Sequence, residues 1–124
     1  MRSFLPWHAA ALLALALAGA AQAQTPPQTP SRTEQLVEGR DLALALCSVC
    51  HLAAPDQVGM PMMSTPGPSF RDIANHAGVS AESLRRFMLT THSTTTPPFT
   101  MPNPKLTDRQ LDAVIAYILS LRGQ

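Results

Sequence analysis

Cysteines and charged residues are both scarce in this chain of 124 residues, which has only two cysteines and 14% charged residues. Two cysteines cannot build the disulfide network that stabilises many small secreted domains, and they supply only half of a structural zinc site. With the N-terminal Arg2 set aside, eight basic and eight acidic residues remain, so there is no net charge. Nucleic acid is therefore not an expected partner, because phosphate binding needs clustered lysines and arginines.

The N-terminal segment lacks the uninterrupted run of about 18 apolar residues that a membrane-spanning helix needs. Instead, Arg2 is followed by a shorter apolar stretch over residues 9–18 and by the small-residue site Ala-Gln-Ala at 21–23. This pattern is typical of a secretory signal peptide cleaved after Ala23. We therefore expect residues 1–23 to be removed and the remaining chain to be a soluble periplasmic domain without stable membrane insertion.

Both cysteines belong to the sequence C-S-V-C-H at residues 47–51. C-x-x-C-H is the spacing at which haem is attached covalently: each thiol can add to one haem vinyl group, and the histidine binds the iron. A zinc site would have to recruit distant histidines, a thioredoxin-like pair would follow a strand, and a disulfide would close too small a loop to stabilise much. The motif thus predicts one haem c, bound through Cys47, Cys50 and His51.

Three arginines, Arg71, Arg85 and Arg86, form a local group of like charges. They could steer an acidic partner or hold a haem propionate, or they could form the solvated face of a helix. The sequence leaves both interpretations open.

Helical structure is predicted to begin after a proline-rich polar leader at residues 24–32, so that residues 33–124 form one domain. A capping box at Ser31 starts a helix that continues to Leu46. Small residues recur at every fourth position of this helix, which predicts a strip where another helix can approach closely. These residues are Gly39, Ala43 and Cys47.

The remainder of the chain alternates loops and helices. Prolines and glycines predict a long loop over residues 52–69 that lies on a ligand face. Helices are predicted over 70–77, over 81–91 and from the capping box at Thr107 to about Leu121. The helix over 81–91 places Leu84, Phe87 and Met88 on one face. The last helix carries an apolar stripe of Leu111, Val114, Ile115, Ile118 and Leu119. No segment alternates as a strand, so an all-α domain is predicted.

The order of these parts resembles that of class I c-type cytochromes, and the resemblance covers residues 34–122. Its most specific segments are CSVCH at 47–51, GPSF at 67–70, TMPNP at 100–104 and IAYIL at 115–119. The resemblance implies the cytochrome c fold, in which orthogonal helices wrap around one covalently attached haem.

The resemblance also implies particular contacts. The N- and C-terminal helices would cross at Gly39 and Tyr117, with Val114 beside them. The carbonyl oxygen of Pro68 would accept a hydrogen bond from His51 and so orient its ring. The loop before Pro68 is longer than in the smallest members of the family and carries an additional Met-Pro-Met-Met segment at residues 60–63.

Several side chains are candidates for the second axial ligand of the iron: Met60, Met62, Met63, Met88, Met101, His76 and His92. Met88 shares a helix face with apolar residues and is interpreted as core packing. Met101 lies in a stiff, proline-bounded segment far along the chain from His51, as an opposing ligand requires. We therefore expect His51 and Met101 to bind the iron.

A His/Met iron has no open position for a substrate, so we expect an electron carrier and not an enzyme. It would act as a monomer between redox proteins such as a dehydrogenase, an oxidoreductase or a terminal oxidase. One alternative is a dedicated haem subunit of a periplasmic dehydrogenase complex. Others are a haem-based sensor or enzyme with a displaceable ligand, and a copper chaperone that uses the methionines of residues 60–63.

Overall fold

The computed structural model describes residues 29–91 and 103–124. The helices in these ranges are α1 (Arg32–Leu46), α2 (Phe70–Asn75), α3 (Ala81–Arg86), a π-helical turn (Phe87–Thr91) and α4 (Asp108–Ser120). No strand occurs in this part of the chain, and the predicted all-α class is confirmed. The signal peptide expected at 1–23 and most of the leader expected at 24–32 lie outside the described residues, so their boundaries stay predictions.

The helices begin where the sequence places their caps. The Ser31 hydroxyl accepts a hydrogen bond from the Glu34 backbone at 3.2 Å, and the Glu34 carboxylate accepts one from the Ser31 N–H at 2.7 Å. Thr107 and Gln110 form the same reciprocal pair at the start of α4. Each box satisfies backbone N–H groups that have no partner within their own helix.

Helices α1 and α4 cross at Gly39, as predicted. A Cβ atom added to Gly39 would lie 2.0 Å from the carbonyl oxygen of Ala113 and 2.9 Å from the Cβ of Tyr117. Only glycine permits so close an approach of the two backbones. The atoms nearest to this position belong to Ala113, one residue earlier than the expected Val114.

The core is built mainly on the apolar stripe of α4. Leu111, Val114 and Ile118 are almost completely inaccessible to solvent, and each contributes about 1.5–3 kcal/mol by its burial. Leu119, which the stripe also included, is only partly buried. Helix α1 contributes close backbone packing instead of large side chains, since its buried residues are Gly39 and Ala43.

The segment predicted as one helix over residues 81–91 has two parts. It is α-helical up to Arg86 and π-helical over Phe87–Thr91. Leu84 and Met88 are buried as expected, but the side chain of Phe87 is 44% exposed. Apolar periodicity does not distinguish a single wide turn from an α-helical one, which explains the error.

The three arginines do not form one basic patch. Arg85 forms ion pairs with Asp108, at 3.1 Å, and with Asp112, and so links α3 to α4. Arg86 pairs with Glu82 at 3.8 Å on the surface of α3, and Arg71 donates a hydrogen bond to the carbonyl oxygen of Gln124. These contacts favour the interpretation as solvated helix surface over that of a steering cluster.

Within residues 29–91 and 103–124, no helix has the length and apolar character that crossing a membrane requires.

Candidate haem-binding site

The end of α1 presents the C-x-x-C-H motif as a tight turn. The backbone N–H of Cys47 donates to the carbonyl oxygen of Ala43 at 2.9 Å, and that of His51 donates to the carbonyl oxygen of Cys47 at 2.8 Å. The N–H of Cys50 also donates to Cys47, at 3.1 Å. These bonds hold both cysteines and the histidine on one compact segment. Cys47 is buried, Cys50 is half-buried, and both thiols are free of disulfides.

The imidazole of His51 is 8% exposed and has a fixed orientation. Its Nδ1 lies 2.8 Å from the carbonyl oxygen of Pro68, the contact that the family resemblance implies. A carbonyl oxygen can only accept, so Nδ1 carries the proton and Nε2 keeps the lone pair that a metal needs. The ring also packs against Phe70, with 5.6 Å between the ring centroids and an angle of 50° between the planes.

Gly67 allows the loop to close over this ring. A Cβ atom at this position would lie 2.5 Å from Cε1 of His51 and 2.7 Å from its Nδ1. The Gly67 N–H donates to the carbonyl oxygen of Cys50 at 2.8 Å, so the same residue anchors the loop to the motif. Sequence reasoning identified the Gly-Pro pair but did not assign this steric role to the glycine.

A cavity of about 700 Å³ opens beside the motif. Its wall is mostly apolar and includes Cys50, His51, Met63, Phe70, Leu84, Met88 and Ile118. The volume is within the range of roughly 300–1,000 Å³ that is usual for cofactor sites. An apolar cavity, two free thiols at the attachment spacing and an imidazole of fixed tautomer together fit a covalently bound haem.

The two thiols differ in their surroundings. Cys50 lines the cavity, whereas Cys47 belongs to the hydrophobic core. Burial, with a smaller contribution from Cys50, raises the pKa of the Cys47 thiol to about 11. Because the thiolate is the nucleophile, a raised pKa makes the Cys47 thiol less reactive in this fold.

The structure separates the candidates for the second axial ligand. Met63, Met88 and His76 line the cavity, whereas Met60 and Met62 are 78% and 86% exposed and do not contribute to its wall. Met101 and His92 lie outside the described residues, and the role of Met101 stays a prediction. In the described part of the chain, no three or more of the His, Cys, Asp and Glu side chains form a group that could hold a metal ion.

The loop that follows the motif is anchored to both long helices. The Tyr117 hydroxyl of α4 donates to the carbonyl oxygen of Ala53 at 3.2 Å, and burial raises the pKa of this phenol. Arg40 of α1 pairs with Asp56 at 2.7 Å. These contacts fix the backbone next to His51 from two sides.

Comparison with known proteins agrees with this geometry. No curated protein and no solved structure matched the chain. A family model described as Cytochrome c matches residues 36–122, a range that begins within α1, contains the C-x-x-C-H motif and ends just after α4. Since this match covers more than half of the chain, the protein belongs to the cytochrome c family.

Proposed function

We propose that the protein is a periplasmic monohaem cytochrome c that carries single electrons between redox proteins. Family membership implies covalent haem c, haem-based electron transfer and redox partners. The proposal adds the periplasmic location, a single haem and the axial pair His51 and Met101.

The observation that carries the proposal is the fixed orientation of His51. Its hydrogen bond to Pro68 selects the tautomer, and the absence of a side chain at Gly67 leaves room for the ring. The same bond increases the basicity of the imidazole towards a metal. When bound, haem supplies a one-electron iron couple, and the protein supplies the ligand, its orientation and a dry surrounding.

The wall of the cavity favours a carrier over an enzyme. Among the described residues that line it, there is no Asp, Glu, Lys or Arg side chain. The titratable side chains in this lining are Cys50, His51 and His76, of which the first two belong to the haem motif. Reactions such as peroxide cleavage need positioned acid and base groups beside the iron, and this lining offers few.

The periplasmic location rests on the N-terminal sequence alone. Export by the signal peptide at residues 1–23 would deliver the two thiols to the compartment where haem c is attached. The test is N-terminal sequencing of the exported protein, which is expected to begin at Gln24. A cytoplasmic protein that begins at Met1 would contradict this part of the proposal.

The carrier function is tested with the holoprotein, coexpressed with a cytochrome c maturation system. We expect reversible one-electron oxidation and reduction by small redox dyes and no steady turnover of peroxide. A wild type that turns over peroxide catalytically would contradict the carrier function, and so would one that cannot be cycled by the dyes.

A further inference from the structure

Four exposed apolar side chains lie within the haem motif or on the loop after it. Val49 lies within the motif, and Val58, Met60 and Met62 lie on the loop that follows it; we call these four residues the methionine patch. Their exposed fractions are 49%, 100%, 78% and 86%. The Met62 N–H donates to the carbonyl oxygen of Val49 at 3.0 Å, so the loop is joined to the motif at this point. Val49 adjoins Cys50, which lines the cavity.

The backbone that carries the patch is held by specific hydrogen bonds. The Gln57 side chain accepts from the Ala53 N–H at 2.9 Å and donates to the carbonyl oxygen of Gly59 at 3.3 Å. The Arg40–Asp56 ion pair fastens the preceding residue to α1. Val58 and Met60 are therefore exposed on an ordered loop, and binding them costs less conformational entropy than binding a mobile segment would.

Charge is scarce in the sequence around the patch. Residues 42–70 contain one charged side chain besides the titratable His51, which is Asp56, and Asp56 is paired with Arg40. A partner that docks here would gain little from electrostatic steering, and a charged docking face would lose hydration while the nearby charges of Asp56 and Arg40 already neutralise each other. Methionine side chains are flexible and polarizable, so they adapt to apolar surfaces of different shape.

The size of the patch also restricts its partner. Stable dimers bury roughly 1,200–2,000 Å² in total, and four side chains provide only part of such an area. Transient redox encounters lie at the low end of the range of interface sizes. A short-lived complex fits both this area and the need of a carrier to dissociate after each transfer.

We propose that the methionine patch is the docking surface for a redox protein whose own docking face is apolar and uncharged. The proposal rests on the electron-carrier function and specifies the chemistry of the partner. Electrons would leave on the Cys50 side of the cavity, and complex formation would depend little on salt.

Gold electrodes coated with alkanethiol monolayers of equal length provide a defined test surface. Terminal methyl, carboxylate or ammonium groups represent an apolar, an acidic or a basic partner. For the wild-type holoprotein, we expect electron transfer to be about tenfold faster at the methyl surface than at either charged surface. The rate at the methyl surface should change little between low and high ionic strength.

The test variant carries Val58→Gln, Met60→Gln and Met62→Gln, and the control is Val37→Gln. Val37 is 55% exposed on α1 and does not line the haem cavity. We expect the triple variant to lose about tenfold in rate at the methyl surface but to keep the wild-type rate with a small soluble dye. The control should match the wild type in both assays. Val58→Gln alone alters only a fully exposed side chain and should reproduce part of the loss.

Other outcomes would overturn the docking proposal. Equal rates for the triple variant and the wild type at the methyl surface would do so, as would a wild-type preference for a charged surface. Concentration-dependent dimerisation lost in the triple variant would assign the patch to a second copy, and patch-dependent binding to phosphatidylcholine vesicles would assign it to lipid. A wild type that fails to react even with the dye would overturn the carrier function and the docking proposal with it.

Discussion

Nδ1 of His51 and the carbonyl oxygen of Pro68 lie 2.8 Å apart, and this hydrogen bond joins the haem motif to the loop that covers it. The residues are 17 positions apart in the chain, yet the bond determines which imidazole nitrogen can bind iron. The turn at the end of α1 carries the His51 ring, and the Gly67-Pro68 pair carries the carbonyl oxygen that accepts its hydrogen bond. The chemistry of the site therefore depends on a loop without regular secondary structure.

Gly67→Ala should disturb this bond. The added methyl group would lie 2.5 Å from Cε1 of His51, so the ring or the loop must move. Overpacking of this kind costs about 1–3 kcal/mol of unfolding free energy. A weaker Nδ1–Pro68 bond makes the imidazole a poorer donor to ferric iron, so the reduction potential of the holoprotein should rise.

Redox titration and urea denaturation of the holoprotein measure the two effects. Ser64→Ala, at an exposed position of the same loop, is the control and should change neither quantity appreciably. An unchanged potential in Gly67→Ala would show that the glycine does not position the ring.

Gly39→Ala should destabilise the fold although alanine is the better helix former. Helix propensity alone favours the substitution by about 1 kcal/mol. The new Cβ, however, would lie 2.0 Å from the carbonyl oxygen of Ala113, and α1 and α4 would have to separate. We expect a net loss of about 1–3 kcal/mol in urea denaturation.

The matched control for this substitution is Ala45→Gly, at an exposed position of α1, which should cost only the propensity difference of about 1 kcal/mol. A Gly39→Ala protein more stable than the wild type would contradict the observed close packing of the helices.

The Arg40–Asp56 ion pair should make stability depend on pH in the acid range. The hydrogen bond from Arg40 is the largest cause that lowers the pKa of Asp56. Because the folded pKa lies below the unfolded one, the stabilisation is complete above the unfolded value of about 3.9 and is lost as the pH falls through the folded pKa.

Thermal unfolding of the wild type and Asp56→Asn at a series of pH values checks this prediction. The difference in Tm should be constant near neutral pH and should vanish in acid. Asp41→Asn is the control, since Asp41 lies 4.0 Å from the same guanidinium and should contribute less. A difference that persists at the lowest pH would show that the effect of the variant is not electrostatic.

Local signals in the sequence predicted most of the helices. The capping boxes at Ser31 and Thr107 place the starts of α1 and α4, because these contacts span only three residues. The small-residue strip around Gly39 predicted the close approach of another helix for a similar reason, since its four-residue repeat lies on one helix face. That this helix is α4 was expected only through the family resemblance.

Contacts between distant segments were not accessible to the same reasoning. The pairing of Arg85 with Asp108 and Asp112 depends on how α3 packs on α4, and no local pattern encodes it. The π-helical turn and the exposure of Phe87 also depend on tertiary packing. The bond between His51 and Pro68 was expected only through resemblance to a family.

The most direct test of the account concerns the ligand opposite His51. In ferric holoprotein, Met101→Leu removes the sulfur with little change in volume and should abolish the weak red absorption band of sulfur-ligated haem. It should also lower the reduction potential and open the iron to cyanide. Met63→Leu and Met88→Leu, at positions that line the cavity, are the controls and should keep the band. A Met101→Leu protein with an unchanged spectrum, while one control loses its band, would contradict the proposed His51/Met101 pair.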